Sequence, residues 1–207
     1  MISQADKNLI EFIGIKPLES HNINLISKKE SVIFSYISNN DGTIRWLFPK
    51  SLSTPMFLNF YSTSSIRAKI LNIFIKLIYF FRASGLINSG ELIINIQKDS
   101  VLDKIMNKYK YDNFSIFTGT VGENRKVIVE LHQNKKSFVF IKIPITESSK
   151  ELVKNEIETL NFLKSLEFNK MNIPVILDEN ENSNAELENI KTKRYNQSST
   201  LNTLQID

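Results

Sequence analysis

The 207-residue chain contains no cysteine and only two histidines, His21 and His132. The absence of cysteine excludes a disulfide scaffold, a thiol enzyme and a cysteine-ligated zinc site. Two histidines so far apart in the sequence are too few for a histidine-rich metal site, although carboxylate sites for Mg²⁺ remain open. Glycine is scarce as well, and none of the six glycines comes after Gly122. The composition therefore disfavours a catalytic site built on thiols or on histidines.

The charge balance is close to even, with 26 Lys and Arg against 22 Asp and Glu, for a formal net charge of +4. The lysines are scattered and form no basic arm, so we expect no binding to nucleic acid. With 42% hydrophobic residues, the chain can bury a core in one large or two small domains. Its first residues carry neither a basic leader nor an apolar stretch of signal-peptide type, and a cytoplasmic protein is therefore expected.

The first 112 residues are predicted to form an N-terminal extension containing a hairpin and a long apolar helix. Residues 31–38 and 44–48 are β-rich, and the turn cluster 39–42 between them is typical of a hairpin. Trp46 is expected to anchor this small sheet. Residues 62–65 offer serine caps for the helix, and Gly85 is expected to end it.

The apolar segment 66–81 allows three interpretations. A membrane-spanning helix needs about 20 mostly apolar residues, and Arg67, Lys69, Lys76 and Arg82 interrupt and flank a shorter run. A helix lying at a membrane surface is the second possibility. The composition favours the third, a buried amphipathic helix.

Residues 113–177 are predicted to fold as a second unit, so the whole chain is assigned to the α+β class. Three β-rich runs between Phe114 and Pro144 indicate a small antiparallel meander, and a helix opened by Ser148 or Ser149 is expected to pack on it. A strand from Glu91 and a helix capped by Ser100 are expected to precede this unit. The helical stripe is expected to consist of Leu152, Ile157, Leu160, Leu163 and Leu166. Residues 178–207 are predicted to be a polar tail or an incomplete hinge, with a short strand possible at 187–190.

One constellation in this second unit suggests chemistry. The turn TGTVGENRK supplies Gly119, Thr120 and Gly122, and its glycines allow backbone N–H groups to approach phosphate oxygens closely. Lys142 lies in the apolar strand FVFIKIP, where its ammonium group needs an anionic partner. Glu156, on the next helix along the chain, is the expected partner, and such an ion pair can hold the lysine where it meets nucleotide phosphates.

This order of strand, glycine turn, strand, lysine-bearing strand and glutamate-bearing helix resembles the nucleotide-binding lobe of the protein-kinase-like fold. The similarity is to the aminoglycoside phosphotransferase and choline kinase group, over residues 113–177. The resemblance implies binding of ATP and Mg²⁺ and transfer of phosphate to a small hydroxylated molecule. It also implies that Gly119, Thr120, Gly122, Lys142 and Glu156 bind the nucleotide.

The sequence departs from that group downstream of the lysine. Members carry a His-x-Asp catalytic loop with a later Asn and then a magnesium-binding Asp. Here His132 precedes Lys142, and the only later aspartates are Asp178 and Asp207. We therefore expect no catalytic and no metal-binding residue in this chain, which would be truncated and inactive alone and would need a separate catalytic lobe or a second chain.

Each residue of the constellation also has an ordinary structural explanation. Lys142 would then be a solvent-facing strand lysine, and the glycines would form a plain hairpin turn. Glu156 would pair with Lys150 or Lys154 on its own helix. Glu158 competes as a partner for Lys142, but it lies roughly 200° around the helix from Glu156. A non-catalytic interaction or scaffold module, which binds through the 66–81 helix, is accordingly the alternative function.

Overall fold

A computed structural model gives the architecture of most of the chain. It describes residues 3–18, 32–50, 55, 58, 65–81, 83–119, 121–133, 136–166, 175–176 and 188–191. Within these residues the protein is of the α+β class, as predicted, with four α-helices and one antiparallel sheet. The helices are α1 (Gln4–Phe12), α2 (Ile66–Phe80), α3 (Val101–Tyr109) and α4 (Glu147–Ser165).

The described strands form one sheet with the order β1-β4-β2-β3-β5-β6-β7-β9-β8. They are β1 (Ile15–Leu18), β2 (Val32–Ser38), β3 (Ile44–Pro49), β4 (Gly90–Ile96), β5 (Asn113–Phe117), β6 (Lys126–Gln133), β7 (Lys136–Pro144), β8 (Val175–Ile176) and β9 (Glu188–Lys191). The predicted hairpin is β2–β3, and the predicted meander is β5–β6–β7. The strand expected near Glu91 is β4, and the one considered at 187–190 is β9.

The sheet continues across the boundary expected between residues 112 and 113. Strand β3 pairs with β5 through Trp46 and Phe117 and through Leu47 and Ile116. The main hydrophobic core likewise combines side chains from both sides of that boundary, including Phe34 and Phe114, whose ring centroids lie 4.9 Å apart. In the described residues the extension and the second unit therefore share one sheet and one core.

One face of the sheet is covered by α1 and α3, which contribute Leu9, Ile10, Leu102 and Ile105 to the main core. Helix α3 begins after Ser100, whose hydroxyl accepts a hydrogen bond from the backbone N–H of Asp103, as the capping pattern predicts. Helix α1 and strand β1 were not predicted from the sequence. For α1 the signals were present, since Ser3 caps the helix and Leu9 and Ile10 lie on its buried side.

The opposite face carries a smaller cluster around Trp46. Trp46 packs against Phe117 with ring centroids 4.5 Å apart, and Phe48, Leu58 and Ile75 complete the cluster. Helix α2 contributes Ile75, and its N-terminus is capped by Ser65, one of the predicted serines. The expected anchoring role of Trp46 is confirmed.

Helix α2 is not the buried amphipathic helix that the sequence favours. Only Asn72, Ile75 and Ile78 are buried among its residues, while Phe74 is 56% and Phe80 77% exposed. The helix also ends before the expected stop, because Phe81 is its C-cap and Gly85 belongs to a short 3₁₀ turn. No helix among the described residues combines the length and the hydropathy needed to cross a bilayer.

Helix α4 packs against β7 and β8, and its stripe differs only in part from the predicted one, since Ile157, Leu160 and Leu163 are half-buried. Val153 is fully buried, whereas Leu152 is 43% and Leu166 48% exposed. The helix begins one turn earlier than Ser149, because Thr146 is the N-cap and Ser149 completes a capping box with it. Ser149 and Val153, four residues apart, are the buried residues of α4 and lie on one face of the helix.

The difference in burial between Val153 and Leu152 should appear in the stability of their alanine variants. Val153→Ala should lower the free energy of unfolding by about 1.5–3 kcal/mol, because it removes two buried carbon atoms and leaves a cavity. Leu152→Ala, on the neighbouring exposed position, should change it by less than about 0.5 kcal/mol. Urea denaturation of the two variants tests this, and a larger loss for Leu152→Ala would contradict the observed helix orientation.

A second prediction concerns Tyr79 of α2, whose hydroxyl donates a hydrogen bond of 2.5 Å to Asn88 Oδ1. Burial raises the pKa of Tyr79 to about 12. Since the folded state holds this proton more tightly than the unfolded state, the stabilisation is complete below the ordinary tyrosine pKa of about 10. It should be lost as pH rises from there through about 12. Ultraviolet titration should show a tyrosine ionisation at unusually high pH in the wild type, and this ionisation should be missing in Tyr79→Phe.

Candidate functional site

Four of the five sequence-predicted residues converge on the end of the sheet where β6 begins and β7 ends. Gly119 and Gly122 lie in the turn before β6, Lys142 is on β7 and Glu156 is on α4. Thr120 lies outside the described residues. The turn, the strand and the helix are thus neighbours in the fold as well as in the predicted order.

Lys142 and Glu156 form the predicted ion pair. The ammonium group Nζ of Lys142 donates a hydrogen bond to Glu156 Oε1. The Lys142 side chain is only 14% exposed, while that of Glu156 is 33% exposed. The lysine therefore does not point into bulk water, which excludes the explanation of Lys142 as a solvent-facing strand residue.

A second lysine, Lys126, reaches the same carboxylate. Its Nζ lies 3.7 Å from Glu156 Oε2. Lys142 pairs with Ile128 across the two strands, and Lys126 precedes Ile128 by two residues, so both lysines lie on one face of the sheet. Sequence reasoning missed Lys126, although its position at the start of β6, after the glycine turn, was a usable signal.

The three side chains carry a net charge of +1, because one carboxylate faces two ammonium groups. A lysine ammonium has three N–H donors, and the described contacts of Lys142 use one of them. Glu158, the competing partner, is exposed on another side of α4. Lys150, the alternative partner for Glu156, instead lies 2.7 Å from Glu147 Oε1. The arrangement thus keeps cationic donors available for a further anion.

The two glycines of the turn occupy positions with different structural requirements. Gly119 has a φ of +74°, and a Cβ atom there would lie 2.5 Å from the carbonyl oxygen of Lys126. The tight hairpin closure alone therefore explains Gly119. Gly122 also has a positive φ, of +158°, but a Cβ there would meet no atom within 4 Å. Gly122 thus leaves open space above an exposed turn, as a phosphate-covering turn needs.

The glycine turn is fastened to the beginning of α4. Ser148 Oγ donates a hydrogen bond of 2.7 Å to Asn124 Oδ1, and Thr146 Oγ1 donates one to the carbonyl oxygen of Glu123. The backbone N–H of Ile145 also donates to the carbonyl oxygen of Arg125, at 3.2 Å. The turn therefore has a defined position relative to the helix that carries Glu156.

The neighbouring β2–β3 turn adds a carboxylate at this end of the sheet. Asp41 accepts hydrogen bonds from the hydroxyl and the backbone N–H of Thr43, at 2.6 and 2.9 Å. These bonds, with a smaller contribution from the charge of Arg125, hold the pKa of Asp41 below its usual range. Asp41 is therefore ionised at neutral pH.

The row of residues that leads away from Lys142 is apolar. Ile128 lies opposite Lys142, Phe117 opposite Ile128, and Trp46 opposite Phe117. Because residues paired in this way share a face, the two lysines border a strip of aliphatic and aromatic side chains. Trp46 and Ile128 are buried, so within this strip only the half-buried Phe117 offers an apolar surface to a ligand beside the cationic end.

His132 and Glu130 form a separate buried pair on the same strand. Their side chains are almost fully enclosed, and His132 Nε2 lies 3.5 Å from Glu130 Oε2. His132 is a strand residue, as expected, and its burial keeps it from an external substrate. Among the described residues, no group of three or more His, Asp or Glu side chains is placed to hold a metal ion.

A cavity lined by described residues lies elsewhere. Its volume is about 700 Å³, and it is open to solvent. Residues of β1, β2, β4, α3 and β5 line it, including Lys16, Asn95 and Phe114. None of the predicted site residues contributes to this cavity.

Comparisons with protein-family models, with curated proteins and with solved structures found no match to this chain. The resemblance to the kinase-like lobe thus remains an expectation that depends on the residues themselves.

The role of Glu156 can be separated from that of its neighbours on α4. Glu156→Gln should lower the free energy of unfolding by about 1–2 kcal/mol, because it leaves the largely buried Lys142 ammonium without a counter-charge. Glu158→Gln, which removes an exposed carboxylate two residues away, should change it by less than about 0.5 kcal/mol. Denaturation at low salt measures both, and equal effects would contradict a structural role for the Lys142–Glu156 pair.

Proposed function

We propose that this chain supplies the ATP-binding lobe of a phosphotransferase-like protein. The observation that carries the proposal is the ion pair between Lys142 on β7 and Glu156 on α4. In this interpretation Lys142 contacts the α- and β-phosphates, Glu156 orients Lys142, and the turn containing Gly119, Thr120 and Gly122 covers the triphosphate. The substrate is a small hydroxylated molecule, as the resemblance to the aminoglycoside phosphotransferase and choline kinase group implies.

The net positive charge of the site supports the proposed contact with the phosphates of ATP. Lys126 and Lys142 together exceed the single Glu156 carboxylate by one positive charge. A triphosphate can therefore accept hydrogen bonds from the ammonium groups without displacing the glutamate. Backbone N–H groups near Gly122 are the further donors, since nothing fills the space above that residue.

The apolar side chains beside the lysines support the proposed contact with the base of the nucleotide. Ile128 is nearly buried and Phe117 is half-buried, and both lie on the same face as Lys142. A flat apolar base can lie against the half-buried Phe117 while its phosphates extend towards the lysines.

Transfer of the phosphoryl group requires more than this lobe. Mg²⁺ neutralises the charge that develops on the transferred group, and a base orients the acceptor hydroxyl. The described residues offer no metal-holding group of three ligands, and both oxygens of Glu156 face lysines. In the proposal these groups come from a separate catalytic lobe or from a second chain, and the chain is inactive alone.

A non-catalytic interaction or scaffold module is the second candidate. It is favoured by helix α2, which exposes several large apolar side chains, among them Ile70 at 62% and Phe80 at 77%. A contiguous apolar surface of this kind marks an interaction site in proteins. The two candidates differ in whether nucleotide contacts Lys142.

Binding of ATP should be weak, with a Kd of about 1 mM, because solvent competes for the phosphate oxygens at a site open on one side. We expect NMR shifts on ATP addition at Gly119, Gly122 and Lys142. The shifts at the two glycines should be lost in Lys142→Met, which retains the apolar stem. Lys154→Met, at an exposed position of α4, should bind like the wild type. Absence of shifts at these residues at 10-fold that concentration would contradict nucleotide binding.

The transfer reaction should be assayed in parallel with Mg²⁺ and with aminoglycoside and choline acceptors. No turnover is expected from the chain alone. Turnover that Lys142→Met abolishes and Lys154→Met retains would show that the chain completes the active site by itself, contrary to the proposal.

A further inference from the structure

Helix α2 presents an unusually apolar outer surface. Its buried side consists of Asn72, Ile75 and Ile78, with Ala68 and Tyr79 half-buried. The outward apolar side chains extend over the whole length of the helix and onto its C-cap: Ile66, Ile70, Ile73, Phe74, Leu77, Phe80 and Phe81. We call these seven residues the outer face of α2. Each is about half or more exposed.

The basic residues of α2 lie along both borders of the outer face. At about 100° per residue, the outer face occupies an arc of roughly 120° around Leu77. Lys69 and Lys76 fall on one border of this arc and Arg67 on the other, and all three are exposed. Leu71, which is 44% exposed, lies beyond Arg67. Long basic side chains in these positions can extend to an anionic surface while the apolar side chains insert.

The sequence around α2 contains basic residues but no acidic ones. Between residues 42 and 90 the chain contains six Lys and Arg and no Asp or Glu. Helix α2 itself carries Arg67, Lys69 and Lys76 and no acidic residue, whereas Lys50, in the same stretch of sequence, is paired with Glu91 at 2.8 Å. A protein partner with an apolar groove would not by itself account for this one-sided charge, whereas an anionic lipid surface complements both the charge and the apolar arc.

We infer that the outer face of α2 docks the protein on an anionic membrane surface. The helix lies in the plane of the interface, since it is too short to cross a bilayer. Ile73, Phe74 and Leu77 insert between the acyl chains and head groups, and the two lysines and Arg67 contact lipid phosphates. This inference is independent of nucleotide binding, because Lys142 is not part of the outer face.

The test is sedimentation of the full chain with vesicles. The wild type should bind vesicles containing phosphatidylglycerol, should bind phosphatidylcholine vesicles far less, and should be released by salt. Phe74→Gln/Leu77→Gln should abolish binding without affecting the circular dichroism, because both residues are exposed. The matched control Leu152→Gln/Phe162→Gln changes two exposed apolar residues of α4 and should bind like the wild type.

A second pair of variants tests the charge. Lys69→Gln/Lys76→Gln should weaken binding about 25-fold, at roughly fivefold per lysine. Lys154→Gln/Lys164→Gln lowers the net charge equally on the exposed surface of α4 and should have little effect. Equal effects of the two pairs would overturn the assignment to α2.

Other outcomes also overturn the proposal. Failure of the wild type to bind anionic vesicles would do so, and so would equal binding to both kinds of vesicle. If analytical ultracentrifugation showed a dimer that Phe74→Gln/Leu77→Gln dissociates, without vesicle binding, the outer face would be a contact between two copies of the chain.

Discussion

The pairing of β3 with β5 joins the two halves of the sheet, and most of the architecture depends on it. Four strands lie on one side of this seam and five on the other. The seam contains only two directly paired positions, reinforced by a hydrogen bond of 3.1 Å from the N–H of Thr118 to the carbonyl oxygen of Arg45. Leu47 and Ile116 are fully buried on one face, and Trp46 stacks with Phe117 on the other. Side-chain packing therefore compensates for the short ladder.

The seam also connects the two proposed activities. Trp46 contacts the cluster to which α2 contributes Ile75, and Phe117 belongs to the strip that leads to Lys142. The same pair of aromatic rings thus supports the helix proposed to meet lipid and borders the site proposed to meet nucleotide. A substitution at the seam would disturb both regions, so it could not distinguish the proposals.

Much of this fold can be predicted from the sequence because its signals are local. Alternating apolar residues indicate β2, β3 and the meander, and the capping pattern at Ser100 indicates α3. The Lys142–Glu156 contact was predictable because an isolated lysine in an apolar strand requires an anion, and a helix comes next at the right distance. The features that could not be predicted depend on tertiary context. The start of α4 at Thr146 is one such feature, because the Thr146 hydroxyl donates a hydrogen bond to the carbonyl oxygen of the distant Glu123.

The exposure of α2 could not be predicted from the sequence either. Its composition is that of a core helix, and a sequence pattern cannot tell whether another element covers it. Lys126 follows the glycine turn directly, which makes it a candidate, but its approach to Glu156 also depends on the register between β6 and β7, which a local pattern does not determine. The expected boundary at residue 112 was inferred from a change in composition, which carries no information about the pairing of β3 with β5.

The placement of β4 between β1 and β2 has a consequence for how the protein folds during synthesis. Ile15 pairs with Ile96, a partner roughly 80 residues later in the chain. Strand β1 therefore has no ladder partner until β4 has left the ribosome, whereas β2 and β3 can pair as soon as their turn is made. The meander β5–β6–β7 is likewise built from neighbours in sequence. Contacts of short loop length should form first, and β1, with α1 behind it, closes the sheet last because its loop-closure entropy is the largest.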